Sequence, residues 1–231
     1  MTRKLSGPML PPRRGGTPDA AIVLLHGYGS DGHDLIALAP HWQALLPGAL
    51  CVAPNAPEPC DSFAGGYQWF PLGYEGDRLA SRQLGVVQAC PVLLEFFADL
   101  WAQTGIAPRH TLIAGFSQGA MMALHAGLAL PAEKTPMGLV GFSGALLPPE
   151  GFGGSDLARP PVCLVHGDSD DVIDPRGSLD ANDVLTRAGF EVTCHISPDT
   201  PHAIAPDGLA FASDFIARLG KNMPQTPASQ P

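Results

Sequence analysis

The stretch HTLIAGFSQGAMMALHAGLAL, residues 110–130, decides how this chain is read. It opens on a short apolar run at 110–114 with the make-up of a buried strand. It closes on an Ala-, Leu- and Met-rich run built of strong helix formers. Between them lies Gly115-Phe116-Ser117-Gln118-Gly119, a G-x-S-x-G pattern at a strand-to-helix turn. So tight a turn needs small residues beside the serine, to let strand and helix approach. Ser117 then projects its hydroxyl at the helix N-terminus, where backbone N–H groups and the helix dipole favour a developing anion. The other reading of the same residues is a serine N-cap closed by ordinary turn glycines.

Outward from this turn, apolar runs at 21–25, 50–53, 138–142, 162–165 and 190–196 alternate with helical patterns at 33–46, 78–103, 118–129, 176–188 and 205–219. That alternation predicts an α/β fold, a mostly parallel central sheet with helices on both faces. The expected organisation is an N-terminal extension over 1–19, one domain over 20–220 and a flexible tail over 221–231. Arg3, Lys4, Arg13 and Arg14 read as part of a solvated, flexible N-terminus. Two stretches, 54–74 and 146–161, lack periodicity and are Pro- and Gly-rich; loops of that length are usually functional or mobile. The span between Phe142 and Val162 is too short for a cap domain, which predicts an open cleft.

A serine nucleophile needs a base and an acid, which in an α/β-hydrolase follow it in the order serine, acid, histidine. Four histidines come after Ser117. His125 lies within a helix pattern. His166 precedes the acidic loop and so cannot follow an acid from it. His195 sits inside a strand run, where a structural role is the usual one. His202 lies in a loop between Pro201 and a final helix, a rigid mount for a base above the sheet. The acid must come from His166-Gly167-Asp168-Ser169-Asp170-Asp171-Val172-Ile173-Asp174. Asp168 suits a turn anchor, and Asp174, before Pro175, suits a helix cap. Asp170 and Asp171 remain as equal candidates.

The oxyanion of an acyl-transfer intermediate needs two N–H donors. Gln118, next after the nucleophile, supplies one; Tyr28, in His26-Gly27-Tyr28-Gly29 after the first strand, supplies the other. That loop also reads G-x-G-x-x-G through Gly32, the pattern of a dinucleotide site. Such a site needs an acidic residue about 20 positions on, and none lies between Asp34 and Glu58. Asp168 to Asp174 lacks the glycine and glutamate of a calcium loop, and no zinc-ligand spacing occurs. No cofactor and no metal are expected.

A net charge of −9 in 231 residues argues against nucleic acid as a partner. No apolar run is read as a membrane span. Five scattered cysteines without a CxxC pair point to reduced thiols and a cytoplasmic protein. The expected partners are a small-molecule ester and, at most, a second copy of the chain in a homodimer.

Taken together, Leu25-His26-Gly27-Tyr28-Gly29, Gly115-Phe116-Ser117-Gln118-Gly119-Ala120, His166-Gly167-Asp168-Ser169-Asp170 and Pro201-His202 resemble the phospholipase/carboxylesterase family of α/β-hydrolases. The likeness is nearest to its small bacterial carboxylesterase branch. The resemblance implies that Asp170, the second aspartate of the H-G-D-x-D motif, is the acid, and that Tyr28 is the second oxyanion donor. It implies hydrolysis of carboxylic esters through an acyl-enzyme, with acyl-protein thioesterase or lysophospholipase activity as the alternative. An open cleft predicts short-to-medium acyl chains. Trp69 and Phe70 are assigned to the substrate pocket, with packing of their long loop onto the domain as the other reading.

Overall fold

The computed structural model describes residues 4–72 and 77–221. Its strands are β1 (Met9–Leu10), β2 (Ala20–Leu25), β3 (Ala49–Val52), β4 (Glu58–Pro59), β5 (Tyr67–Gln68), β6 (Thr111–Phe116), β7 (Gly138–Phe142), β8 (Val162–Gly167) and β9 (Val192–Ser197). Seven of them form one sheet in the order β1-β3-β2-β6-β7-β8-β9, and β4 pairs with β5 as a separate hairpin. Only β1 runs antiparallel within the large sheet; the other strands are mutually parallel. The helices are α1 (Gly32–Leu35), α2 (Ala39–Gln43), α3 (Arg78–Thr104), α4 (Gln118–Ala129), α5 (Arg176–Arg187) and α6 (Pro206–Gly220).

Every residue of β2, β7 and β8 is buried, because helices cover both faces of the sheet. The two-residue period of a strand then feeds two cores. Ala21, Val23, Leu25 and Ile113 point to one, shared with Val86, Leu93 and Phe97 of α3, Leu124 of α4 and Leu185 of α5. Ala20, Ile22, Leu24 and Leu112 point to the other, shared with Trp42 of α2 and with Phe215 and Ile216 of α6. A sheet loaded in this way keeps its strand ends in fixed register. The loops at the carboxyl ends of the parallel strands are thus held as one rigid edge, where ligand sites of open α/β sheets lie.

The structure departs from the sequence expectations in four places. The helix expected over 33–46 is broken into α1, a 3₁₀ turn (Ile36–Leu38) and α2. Pro40 has no N–H to donate along the helix, and the turn tightens before it. The N-terminal segment is not a solvated arm. Met9 and Leu10 pair with Val52 and Cys51, Ser6 and Pro8 accept from Asn55 and Ala53, and Arg14 bonds Asp19 at 2.6 Å. Its two-residue strand is too short to show alternation. The loop over 54–74 carries the β4–β5 hairpin. Finally, α3 is long and apolar enough to cross a membrane by length and composition, which the sequence reading did not recognise. It lies against the sheet with Val86, Leu93 and Phe97 fully buried. The expected tail over 221–231 lies outside the described residues from 222 onward.

Candidate active site

Ser117 links β6 to α4, and its backbone is strained, with φ 54° and ψ −118°. A non-glycine residue holds such angles only where its surroundings fix them. Here Ser117 N–H donates to Phe142 O of β7 at 2.9 Å, and its carbonyl accepts from Ala120 at 3.0 Å. The flanking glycines answer a direct spatial need. A Cβ on Gly115 would stand 2.2 Å from Gly119 O, and one on Gly119 would stand 1.9 Å from Leu25 O. These neighbours are backbone and cannot rotate aside. Gly119→Ala is therefore expected to push α4 away from the end of β2, at about 1–3 kcal/mol. The melting temperature should fall by about 2–4 °C per kcal/mol, and kcat should fall with it as the 26–28 loop shifts against the elbow. Gly177→Ala, on α5 with open space around it, is the control and should not lower the melting temperature.

The structure brings Ser117, His202 and Asp170 together. Ser117 Oγ lies 2.9 Å from His202 Nε2, and His202 Nδ1 lies 2.7 Å from Asp170 Oδ2. A carboxylate can only accept, so Nδ1 carries the hydrogen and Nε2 offers its lone pair to the serine hydroxyl. Asp170 is closed in: its Oδ1 accepts from Val172 N at 2.9 Å and Ile173 N at 2.8 Å. Burial pushes its carboxyl up, but the hydrogen bonds from Ile173, His202 and Val172 outweigh that and hold it below the ordinary value. Asp171, one residue on, points to solvent. The loops bearing acid and base are tied together, since Ser169 N donates to Thr200 O at 3.0 Å and Thr200 N to Asp168 Oδ1 at 3.3 Å. His195 faces elsewhere, with its Nε2 2.7 Å from Asp207 of α6.

The two expected oxyanion residues lie on adjoining backbone. Gln118 is the first residue of α4, where N–H groups have no partner within the helix. The loop carrying Tyr28 runs alongside, with the Cβ position of Gly27 3.4 Å from Ser117 Cβ. His26 stiffens that loop from below: its Nδ1 bonds Gly27 O at 2.8 Å and its Nε2 accepts from Ala56 N at 2.9 Å. Burial lowers its tendency to protonate, which suits a ring that must accept at Nε2.

Trp69 and Phe70 do not wall a pocket. Each is 2% exposed, within the core beneath the site. Trp69 Nε1 donates to His26 O, and the Gln118 side chain clamps both residues through Trp69 N and Phe70 O, at 2.9 and 2.7 Å. Together with the bonds between Tyr67, Gly29 and Ser30, this ties the elbow, the 26–30 loop and the hairpin into one unit. Among the described residues of that loop, the exposed aromatic is Phe63, at 57%. Its ring packs edge-on against Tyr28 at 6.2 Å. The burial of Trp69 and Phe70 fits the other reading of these residues, packing of their long loop onto the domain. The roles of His26 and of the Gln118 side chain were not legible, because their partners lie 30 to 49 residues away.

A family profile described as phospholipase/carboxylesterase matches residues 13–219. The chain belongs to the phospholipase/carboxylesterase family. Among curated relatives in this family, the esterase YpfH of Escherichia coli is 31% identical over 197 residues, covering 84% of this chain and 81% of its own. Acyl-protein thioesterase 1 of Gibberella zeae is 27% identical, covering 86% of this chain and 90% of its own. Among solved structures, esterase PE8 superposes with a TM-score of 0.88 at 48% identity, over 94% of this chain and all of that one. The α/β-hydrolase fold and the family read from the sequence both stand.

Proposed function

We propose that this protein is a serine carboxylesterase that cleaves small, uncharged esters through an acyl-enzyme. The observation that carries the reading is the pair of contacts at the strained elbow, 2.9 Å from Ser117 Oγ to His202 Nε2 and 2.7 Å from His202 Nδ1 to Asp170. His202 takes the Ser117 proton as Oγ attacks the ester carbonyl. The N–H groups of Gln118 and Tyr28 receive the oxyanion, and the alcohol leaves with the proton. Water, activated by the same histidine, then releases the acid and restores the serine. No cofactor enters either step. The esterase relatives support this reading, and the thioesterase relatives support thioester cleavage as the second.

Two features of the surroundings set the substrate class. The segment from β7 to β8 contains no helix, so among the described residues it places no cap over the nucleophile. An open cleft buries little of a long acyl chain, whereas each buried CH₂ would otherwise add about 0.8 kcal/mol. The loops at the site edge carry Asp31, Asp34, Asp61, Asp168, Asp171 and Asp199, and no Lys or Arg occurs in 26–34, 53–72, 168–175 or 198–205. Negative potential at the rim disfavours anionic substrates such as lysophospholipids or acyl-coenzyme A. The five cysteines are free, which supports a reducing compartment, the cytoplasm.

The test is a panel of neutral acyl esters, neutral thioesters and anionic lysolipids at two salt concentrations. Efficiency should plateau or fall beyond medium chains, show no jump at the micelle threshold, and be lowest for the anionic members. The anionic deficit should shrink at high salt, where the screening length drops to about 3 Å. Rising efficiency with chain length would overturn the open cleft. A clear preference for thioesters would favour the second reading.

A further inference from the structure

The mechanism uses one histidine on Asp170, but the structure places two there. His166, near the end of β8, is 1% exposed. Its Nε2 lies 3.1 Å from Asp170 Oδ2, the same oxygen that receives His202 Nδ1. Nε2 also lies 3.0 Å from Ile173 O, and Nδ1 lies 2.7 Å from Ser178 Oγ of α5. Both groups facing Nε2 can only accept, so that nitrogen carries a hydrogen, bonded to Ile173 O with Asp170 Oδ2 beside it. In the neutral ring Nδ1 is then an acceptor, and Ser178 donates its hydroxyl to it.

We propose that His166 is a positioning residue for the reaction, holding Asp170 against His202 through a neutral Nε2–H, with Ser178 anchoring the ring by donating to Nδ1. The inference rests on the esterase reading of the same site. Asp170 accepts three N–H groups, from Val172, Ile173 and His202, and the ring of His166 stands against its Oδ2 with Nε2 at 3.1 Å. The two backbone donors and the His166 ring are fixed, and His202 belongs to the moving proton relay. With the backbone donors on Oδ1 and the His166 Nε2–H dipole beside Oδ2, the carboxylate is held from turning its second oxygen away when His202 becomes an imidazolium. A neutral donor is needed here, since a charged ring would pair with Asp170 and weaken its hold on His202. Burial keeps His166 below the usual imidazole range, against the opposing pull of the Ile173 carbonyl and of Asp170. The titratable groups that face it are Asp170 and Asp174 from its own loop and His202 from the β9–α6 loop.

The experiment compares wild type, His166→Leu, His166→Gln and Ser178→Ala on a short neutral ester across pH. Rates are normalised to active sites titrated with a fluorophosphonate, and melting temperatures are recorded alongside. If wild type neither reacts with the probe nor cleaves the ester, the esterase reading fails and not this inference. With wild type active, His166→Leu should lower kcat by about tenfold to a hundredfold, the scale of one hydrogen bond to a charged group, with KM within about twofold. Its acid limb should move to higher pH by roughly half a unit or more, because a carboxylate without that dipole beside it holds the His202 imidazolium more tightly. His166→Gln, whose amide nitrogen reaches the place of Nε2, should recover most of both. Should the leucine variant fail to fold, Ser178→Ala keeps the ring but removes the donor that anchors its Nδ1; a smaller fall in kcat with the limb displaced in the same direction is expected. Titrated sites with wild-type kcat and an unmoved acid limb would overturn the proposal. So would leucine and glutamine variants that are equally slow with the limb in place, since His166 would then only fill space.

Discussion

Ser117→Ala should abolish labelling by a fluorophosphonate and lower kcat for an ester by on the order of 10⁶, the loss seen when a nucleophile is removed from a serine-protease triad. The expectation follows from how singular this hydroxyl is. Serine is a poor nucleophile unless a base within hydrogen-bond reach takes its proton. Ser117 has that base at 2.9 Å, and the base is oriented in turn at 2.7 Å. Ser178 also lies 2.7 Å from an imidazole, but it is 3% exposed on the buried side of α5, where no ester can reach it. The variant should keep its melting temperature, because losing one hydroxyl at the surface of the elbow leaves Gly115, Gly119 and the bond from residue 117 to Phe142 O intact. Labelled Ser117→Ala protein, detected as a mass shift on another residue, would remove the nucleophile assignment. Residual turnover well above the uncatalysed rate would not, since donors aimed at the oxyanion accelerate attack by water on their own.

How much of this was legible in the sequence depended on how far apart the partners lie. The elbow could be read because its logic is local: a buried strand, a turn at Ser117 and a helix, with glycines forced by contacts a few ångströms away. The parallel sheet could be read because β2, β7 and β8 are buried on both faces, and continuous apolar runs reveal that without any tertiary knowledge. The broken helix near Pro40 carried its own signal in the proline. The two-residue β1 carried none, because no period shows in two residues.

The errors around the 54–74 loop have a different cause. An aromatic in an aperiodic stretch looks exposed until its partner is known. Trp69 is held by His26 O, 43 residues away, and by Gln118, 49 residues away. Phe63 is left outside where the β4–β5 hairpin turns, and Tyr67 of that hairpin pairs with Ser30, 37 residues earlier in the chain. His166 was set aside for preceding the acidic loop. Chain order excludes it as the base, yet says nothing about a second ring against the acid.

Asp170→Asn should lower kcat by about 10⁴, by analogy with the worked serine-protease case, while Asp171→Asn should change it little. The two residues are adjacent and chemically identical, so composition could not rank them; the family resemblance did, and the geometry gives a reason. Asp170 Oδ1 accepts two backbone N–H groups, from Val172 and Ile173. An amide at 170 would turn its carbonyl to those two donors, because the reverse would set N–H against N–H. Its NH₂ would then face His202 Nδ1, which would have to become the acceptor. The hydrogen would move to Nε2 and point at Ser117 Oγ, and a histidine in that tautomer cannot take the serine proton. His166 adds to the effect, since its Nε2–H would meet the same NH₂ where it now meets Oδ2 at 3.1 Å. KM should change far less than kcat, because the loss falls on the charge that develops in the transition state. The Asp170→Asn variant should also lose its fluorophosphonate reactivity in proportion, measured as a labelling rate and not as an end point. Equal activities for the two variants would assign the acid to neither, and a reversal would assign it to Asp171 with the rest of the mechanism unchanged.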